Sequence, residues 1–503
     1  MDFQEPVLGD RISSVGDEGE KAVKVVDWAE FHDVFHELDG VAFKAKQLRA
    51  KKAALSEKLE AGQAALAARL PLCFIRLSQW GEAQFIMAHE NGKKSYDENG
   101  AVKSLESRLE RARLFIREQF EEIDPKLPVF LRKLKDVGAT ECWHKHGTFY
   151  EHLYHVYRNL KLWDAPDSVA RCGLFHSAYS NSYVNLAIFP PDTGRGVVRD
   201  LIGAEAEELT HWFCIVPRQQ LIFDMIMFKY SNEELLQHLK NLKEGKEIAN
   251  PLMPPEGLVV KHIRTGENLL VPKNLIAIFF LLTMVDFADQ YYGWQDDLFA
   301  NRSGKFDYSG DQWTALWPGD GRPGLWVPLV SRMGVWLSIL LHEEAAYRER
   351  EETEGRGEAL KKRPFADIQI TVPSILDNCS VIVSSTDQIE ALELYWQAFP
   401  MDADGKPKSA EIVEPLLRKA FQKNPYLAEP HIVLAQVLLG EGKYEEAEKE
   451  ATEGLKLLLE WGTHWDKRMS WEGWISWVRV LLLNAKDRTW PRSVWGITSL
   501  GLV

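Results

Sequence analysis

The chain has 503 residues, 45% of them apolar and 27% charged, with 60 Lys and Arg against 74 Asp and Glu for a net charge of -14. That is the composition of a folded globular protein with room for several domains. The acid excess argues against a nucleic-acid backbone as the main partner, because such binding needs concentrated cations.

Cys73, Cys142, Cys172, Cys214 and Cys379 are scattered and never spaced as CxxC. They predict neither a disulfide framework nor a zinc knuckle, and they suit a reducing compartment. With an acidic N-terminus that lacks an apolar signal stretch, the expected localisation is cytoplasmic. The longest apolar run, Leu275 to Val285, has 11 residues. A bilayer crossing needs roughly 20, so this run predicts a buried core helix and no membrane partner.

In chain order, residues 1–25 are polar and predict a loose tail. Residues 26–130 read as a helical arm. Leu48, Leu55 and Leu59 recur at helical spacing, and a second helix is expected from Val102 to Phe120.

Residues 131–300 alternate helices with short loops. Phe149, Leu153, Val156, Leu160 and Trp163 form an apolar stripe, and His152 lies beside it. The helix stops at Trp163-Asp164-Ala165-Pro166-Asp167, where Asp164 is expected to cap the next one. That second helix runs into Cys172-Gly173-Leu174-Phe175-His176-Ser177. His176 follows His152 by 24 residues, the length of two antiparallel helices and a tight turn, so both imidazoles can reach one point. The core helix closes on Asp286 and Asp289. Two histidines and one carboxylate make a common first-row divalent site. The alternative is a pair of core histidines hydrogen-bonded to Asp289 and Ser177.

Residues 301–384 read as an irregular connection and helices packing on the core. The Gly/Pro-rich stretch from Asp296 to Pro328 predicts a lid, packed loop or linker. The mixed-charge run Arg348 to Arg363 predicts a surface excursion. Eighteen tryptophans, including Trp313, Trp317 and Trp326, favour large packing contacts over an aromatic ligand cage.

Residues 385–503 carry a repeat. Leu416 to Pro425 resembles the second helix of a tetratricopeptide unit, and Ala435 to Ala447 resembles the next unit. Ala420 and Gly454 stand 34 positions apart, the period of that repeat. Trp471, Trp474 and Trp477 would give the last helix an aromatic face suited to capping the array. A protein partner is expected through these repeats.

The middle third resembles the HD superfamily, whose motif is a His, then His-Asp, then a distant Asp around a divalent metal. It is similar to the hydrolase half of Rel/SpoT-type guanosine polyphosphate enzymes. It is also similar to HD-like domains of bacteria and plants that share Gly147-Thr148-Phe149, Glu151-His152, Gly173-Leu174-Phe175-His176-Ser177 and the Leu201-to-Glu207 helix. The resemblance covers about residues 140–300. It implies His152, His176 and Asp289 as metal ligands, with Ser177, Asn181 and Asp286 as further pocket residues. It also implies one divalent ion (manganese, iron or magnesium) and a phosphorylated small molecule as ligand. Two departures stand out. Ser177 replaces the Asp of the dyad, and Ser180 and Asn181 replace a catalytic Glu-Asp pair. Hydroxyl and amide oxygens are neutral, weak ligands and poor bases near pH 7. His144, His146, His155 and His211 are the remaining substitutes.

The expected fold is all-α, with an N-terminal helical arm, an HD-like bundle and a C-terminal tetratricopeptide-like array. The expected function is that of a degenerate HD-like sensor or scaffold joined to a protein-interaction surface. The alternatives are a divalent-metal phosphohydrolase and an HD-type iron oxygenase.

Overall fold

The computed structural model describes residues 105–144, 147–180, 187–190, 193–246, 250–289, 326–399 and 408–491. The chain divides into two units, Met1–Tyr96 and Asp97–Val503, and every described residue belongs to the second. The expected tail, the arm before residue 105, the His144 side chain, His146, Asn181, Trp313, Trp317 and most of the Asp296–Pro328 stretch lie outside the described residues.

The fold is all-α. Its longer α-helices among the described residues are α1 (Leu105–Ile116), α2 (Leu127–Asp136), α3 (Phe149–Leu162), α4 (Asp167–Leu174), α5 (Arg195–Ile202), α6 (Ala204–Ile215), α7 (Asn232–Lys243), α8 (Lys273–Asp289) and α9 (Val327–Thr353). They continue with α10 (Ser385–Gln397), α11 (Ala410–Lys423), α12 (Glu429–Gly440), α13 (Tyr444–Trp461) and α14 (Trp471–Lys486). Two antiparallel hairpins interrupt them: β1 (Trp143–His144) with β2 (Gly147–Thr148), and β3 (Leu258–Lys261) with β4 (Asn268–Val271).

Helix α3 starts at a capping box. Thr148 Oγ1 accepts from the Glu151 amide at 3.1 Å, and Glu151 Oε2 accepts from the Thr148 amide at 2.7 Å. This satisfies two of the donors that a helix start leaves unpaired. Helix α4 packs against α3 through Gly173, where a Cβ would lie 2.2 Å from Leu160 Cδ1. The close crossing therefore demands glycine. Asp164 does not cap α4. Pro166 holds the N-cap position, while Asp164 adopts φ 59° and pairs with Arg111 at 2.6 Å. Proline has no side-chain acceptor, so no side chain caps this helix, and Asp164 stays in the turn before it.

Helix α8 is buried along its whole length and packs against α3, α4 and α9. Helix α9 runs to Thr353, so the expected charged excursion begins as helix, and Gly357–Lys361 adds a further short one. Arg348 Nε meets Glu344 Oε1 at 2.9 Å one turn back, and such pairs support an exposed helical face.

In the C-terminal third, α10 through α14 pack each on the next. At the α12–α13 crossing a Cβ on Gly454 would sit 2.6 Å from Ile432 Cγ1. The aromatic stripe of α14 turns inward. Trp471 and Trp474 are buried and donate to the Leu458 and Asp466 carbonyls at 3.0 and 2.9 Å, and half-buried Trp477 donates to Gln436. One hydrophobic core takes in described residues from Leu109 to Ala485, on both sides of the expected boundaries at 300 and 384. Trp163 of the α3–α4 turn donates to the carbonyls of Glu460 and Trp461, joining the two halves. No helix among the described residues is long and apolar enough to cross a membrane.

Candidate metal centre

Three elements build the centre. The apolar stripe of α3 pins its inner face, so His152 points into the core at 4% exposure. His176 follows the C-terminus of α4 at 5% exposure, and its Nδ1–H donates to the Gly173 carbonyl at 2.7 Å. A carbonyl can only accept, so this bond fixes the tautomer and leaves Nε2 with its lone pair. The last turn of α8 supplies Asp286 and Asp289, three residues apart and therefore on one helical face.

His152 bridges the two carboxylates. Nδ1 meets Asp289 Oδ2 at 2.8 Å, and Nε2 meets Asp286 Oδ1 at 3.2 Å. The His152 and His176 rings meet edge to face with centroids 5.4 Å apart. His152, His176 and Asp286 each offer one ligand atom within 4.8 Å of the other two.

The sequence pattern nominated Asp289 as the third ligand, with Asp286 as a pocket neighbour, and the geometry exchanges their places. Asp289 stands behind His152, on the Nδ1 side, and also meets His155 Nδ1 at 3.1 Å. The reason is the register of α8 against α3, which aims Asp286 between the two imidazoles. Ser177 is buried beside His176, and its carbonyl accepts from the Ile188 amide at 2.9 Å. His211 lies apart from the cluster, edge-on to Tyr179.

Electrostatics divide the two histidines. Burial alone would lower the pKa of His152, but the hydrogen bonds it donates to Asp286 and Asp289 and their charges raise it to about 9. Burial dominates at His176, where the Asp286 charge only partly opposes it, and the pKa falls to about 4. Burial would raise both aspartates. The His152 hydrogen bond and the His176, His152 and Arg218 charges hold Asp286 below the usual carboxylate range. The charges and hydrogen bonds of His155 and His152 do the same for Asp289.

The C-terminal helices also reach this centre, which sequence reasoning missed. Lys467 donates to the Ala288 carbonyl at 3.3 Å, and burial pulls its pKa to about 8 against the opposing pull of Asp289. No local sequence signal connects residues 179 positions apart.

The donor set fits a first-row divalent ion. Two neutral imidazole nitrogens and a carboxylate oxygen suit manganese, iron or zinc, and a carboxylate behind a ligating histidine orients its ring and raises its basicity. Loading would require His152 to give up its proton.

A family model described as a domain of unknown function (DUF6817) matches residues 133–218. That stretch holds His152 and His176 and ends before Asp286 and Asp289. No curated protein matches the chain, and no solved structure does.

Proposed function

We propose that the described unit is a degenerate HD-like domain joined to tetratricopeptide-like helices, and that its two-histidine, one-aspartate centre takes a single divalent ion for sensing or stabilisation. The observation that carries this is the approach of the His152, His176 and Asp286 ligand atoms within 4.8 Å, with His176 already held in the ligating tautomer. His152, His176 and Asp286 would hold the ion. A bound divalent ion supplies Lewis acidity and binding free energy.

The residue types at the positions where the resembled family carries its dyad Asp and catalytic pair argue against phosphate-ester hydrolysis. Ser177 offers a neutral hydroxyl in place of a charged ligand. Ser180 and Asn181 offer no general base, and both aspartates are already engaged by His152. Losing a general base costs about 10²–10⁴-fold in rate.

The test is elemental analysis of the purified chain and of His176→Ala. His176→Ala removes one ligand while leaving His152 between its two carboxylates. The expected result is about one equivalent of metal in the native protein and none in a folded His176→Ala variant. Retained iron would point to the oxygenase alternative. Supplied with manganese, the native chain should not turn over guanosine tetraphosphate. A robust rate that disappears in His176→Ala would overturn this reading.

A second reading rests on the ion-paired state of His152. An imidazolium between two buried carboxylates is a self-sufficient polar network, and such a network needs no metal. It would leave both proteins metal-free, with His152→Ala far more destabilising than His176→Ala.

For the C-terminal helices, the reading is a protein-docking surface. In its support, Arg418, Phe421, His431 and Glu450 line a groove of about 600 Å³ across α11, α12 and α13. Cross-linking at Phe421 in the presence of a purified partner would test it.

A further inference from the structure

The turn between α13 and α14 belongs to the C-terminal helices in sequence and to the centre by contact. Within it, Lys467 Nζ donates to the Ala288 carbonyl at 3.3 Å and to Thr463 Oγ1 at 3.1 Å. Ala288 lies between Asp286 and Asp289 in the last turn of α8, where carbonyls have no partner inside the helix. A cation suits those carbonyls, since the helix dipole places its negative end there. The ammonium therefore holds the one stretch of backbone from which both carboxylates project.

Residues flanking this turn also grip α3, which carries His152 and His155. Arg158 pairs with Glu472 at 2.5 Å and lies over the Trp471 ring at 4.5 Å. Gly462 ends α13 at φ 69°, and a Cβ there would stand 3.0 Å from Leu162 Cδ1 and 3.3 Å from Asn159 Cα. Glycine alone meets both the left-handed backbone and the close approach. The array in turn fixes the turn. Tyr395 of α10 donates to the Asp466 carboxylate at 2.8 Å, and Trp474 of α14 donates to the Asp466 carbonyl at 2.9 Å. Glu429 of α12 accepts from the Trp465 and Asp466 amides at 2.6 and 3.1 Å. Three helices of the array thus hold the residues next to Lys467, and Lys467 holds the end of α8.

With His152, His176 and Asp286 read as the ion site, we propose that Lys467 is a positioning residue for it. Through this turn, ion occupancy and the packing of the C-terminal helices stabilise one another. Lys467 acts through the α8 backbone, keeping Asp286 between the imidazoles and Asp289 behind His152. The sign of its effect separates positioning from charge. An ammonium beside the site repels a divalent ion, so charge alone predicts tighter ion binding once Lys467 is neutralised. Positioning predicts weaker binding, because the last turn of α8 loses its anchor and the aspartates lose their aim. Such a coupling is reciprocal, so what the turn adds to ion affinity the ion returns as stability of the turn.

Two measurements on the full chain test this, with cobalt(II) as the probe because its visible spectrum reports the geometry of its ligands. Lys467→Met keeps an unbranched side chain and removes the ammonium. By chelator competition the variant should hold cobalt about tenfold more weakly than the native chain, with an altered spectrum. In the native chain, cobalt should slow hydrogen exchange at the Trp465, Asp466 and Arg468 amides and leave the β3–β4 hairpin unchanged. A native chain that takes no cobalt overturns the ion site and this coupling together. Cobalt held as tightly or more tightly by a folded Lys467→Met variant overturns the coupling alone. If Lys467→Met does not fold, the exchange measurement decides: protection confined to α3 and α8 overturns the coupling, and protection that reaches the turn supports it.

Discussion

Asp289 and Glu429 are both carboxylates with almost no exposure, 2% and 1%, on helices that share one hydrophobic core. Burial pushes each toward its neutral form. Asp289 nevertheless stays well below the usual range, because His152 and His155 bring hydrogen bonds and charge to it. Glu429 rises to about 7, because a like-charged neighbour, Asp466, adds to burial and only backbone amides oppose them. Partners, more than depth, decide whether a buried acid is ionised. The α3–α8 region is therefore a charged network, and the start of α12 is close to a neutral one.

The strongest way to break the comparison is to remove the charge at the centre. In the metal-free protein, Asp289→Ala would break a buried pair and leave the His152 imidazolium with Asp286 alone, and should cost about 3–5 kcal/mol, read by urea unfolding near pH 7. A loss below about 1 kcal/mol, the value of an exposed pair, would mean that the network is not buried in effect.

The next effect is a pH dependence. In the metal-free protein His152 has its folded pKa raised from 6.5 to about 9, so its stabilisation is complete below 6.5 and is lost as pH rises through 9. Linkage sets the loss at roughly 3 kcal/mol. Unfolding free energies at pH 6, 8 and 10 should decline across that window, and the decline should flatten in a folded His152→Gln variant.

Smaller still is the contribution of Glu429, whose pKa rises from 4.5 to about 7. Its favourable term is present below 4.5 and lost as pH rises through 7. Glu429→Gln should remove that loss and stabilise the protein at pH 8 by about 1–2 kcal/mol. An unchanged slope between pH 5 and 7 in this variant would show that the two carboxylates do not differ as described.

Much of the centre was legible from the chain. The apolar stripe around His152, the hairpin spacing to His176 and the acidic end of the run from Leu275 each have a local signature, because helical period and turn chemistry act over a few residues. The order of the two aspartates had none. Asp286 and Asp289 share a face of α8, and only the register of that helix against α3 aims Asp286 at the imidazoles and sets Asp289 behind them. His155 was visible only as one histidine among several. The length of α9 was hidden because its second half is charged and lacks an apolar stripe, while i,i+4 pairs such as Glu344 with Arg348 hold it helical.

The sequence by itself determined that this chain builds helices. It also set the spacings that let the histidines and carboxylates meet. Those properties follow from local sterics and periodicity, which need no knowledge of distant residues. Tertiary structure alone decided that Lys467 would cover the end of α8 and that Glu429 would meet the amides of Trp465 and Asp466. Such contacts join residues from tens to well over a hundred positions apart, and their geometry is set by how whole helices pack. Charge follows the same division. The residue types set the ordinary pKa values, and the packing sends His152 up and His176 down.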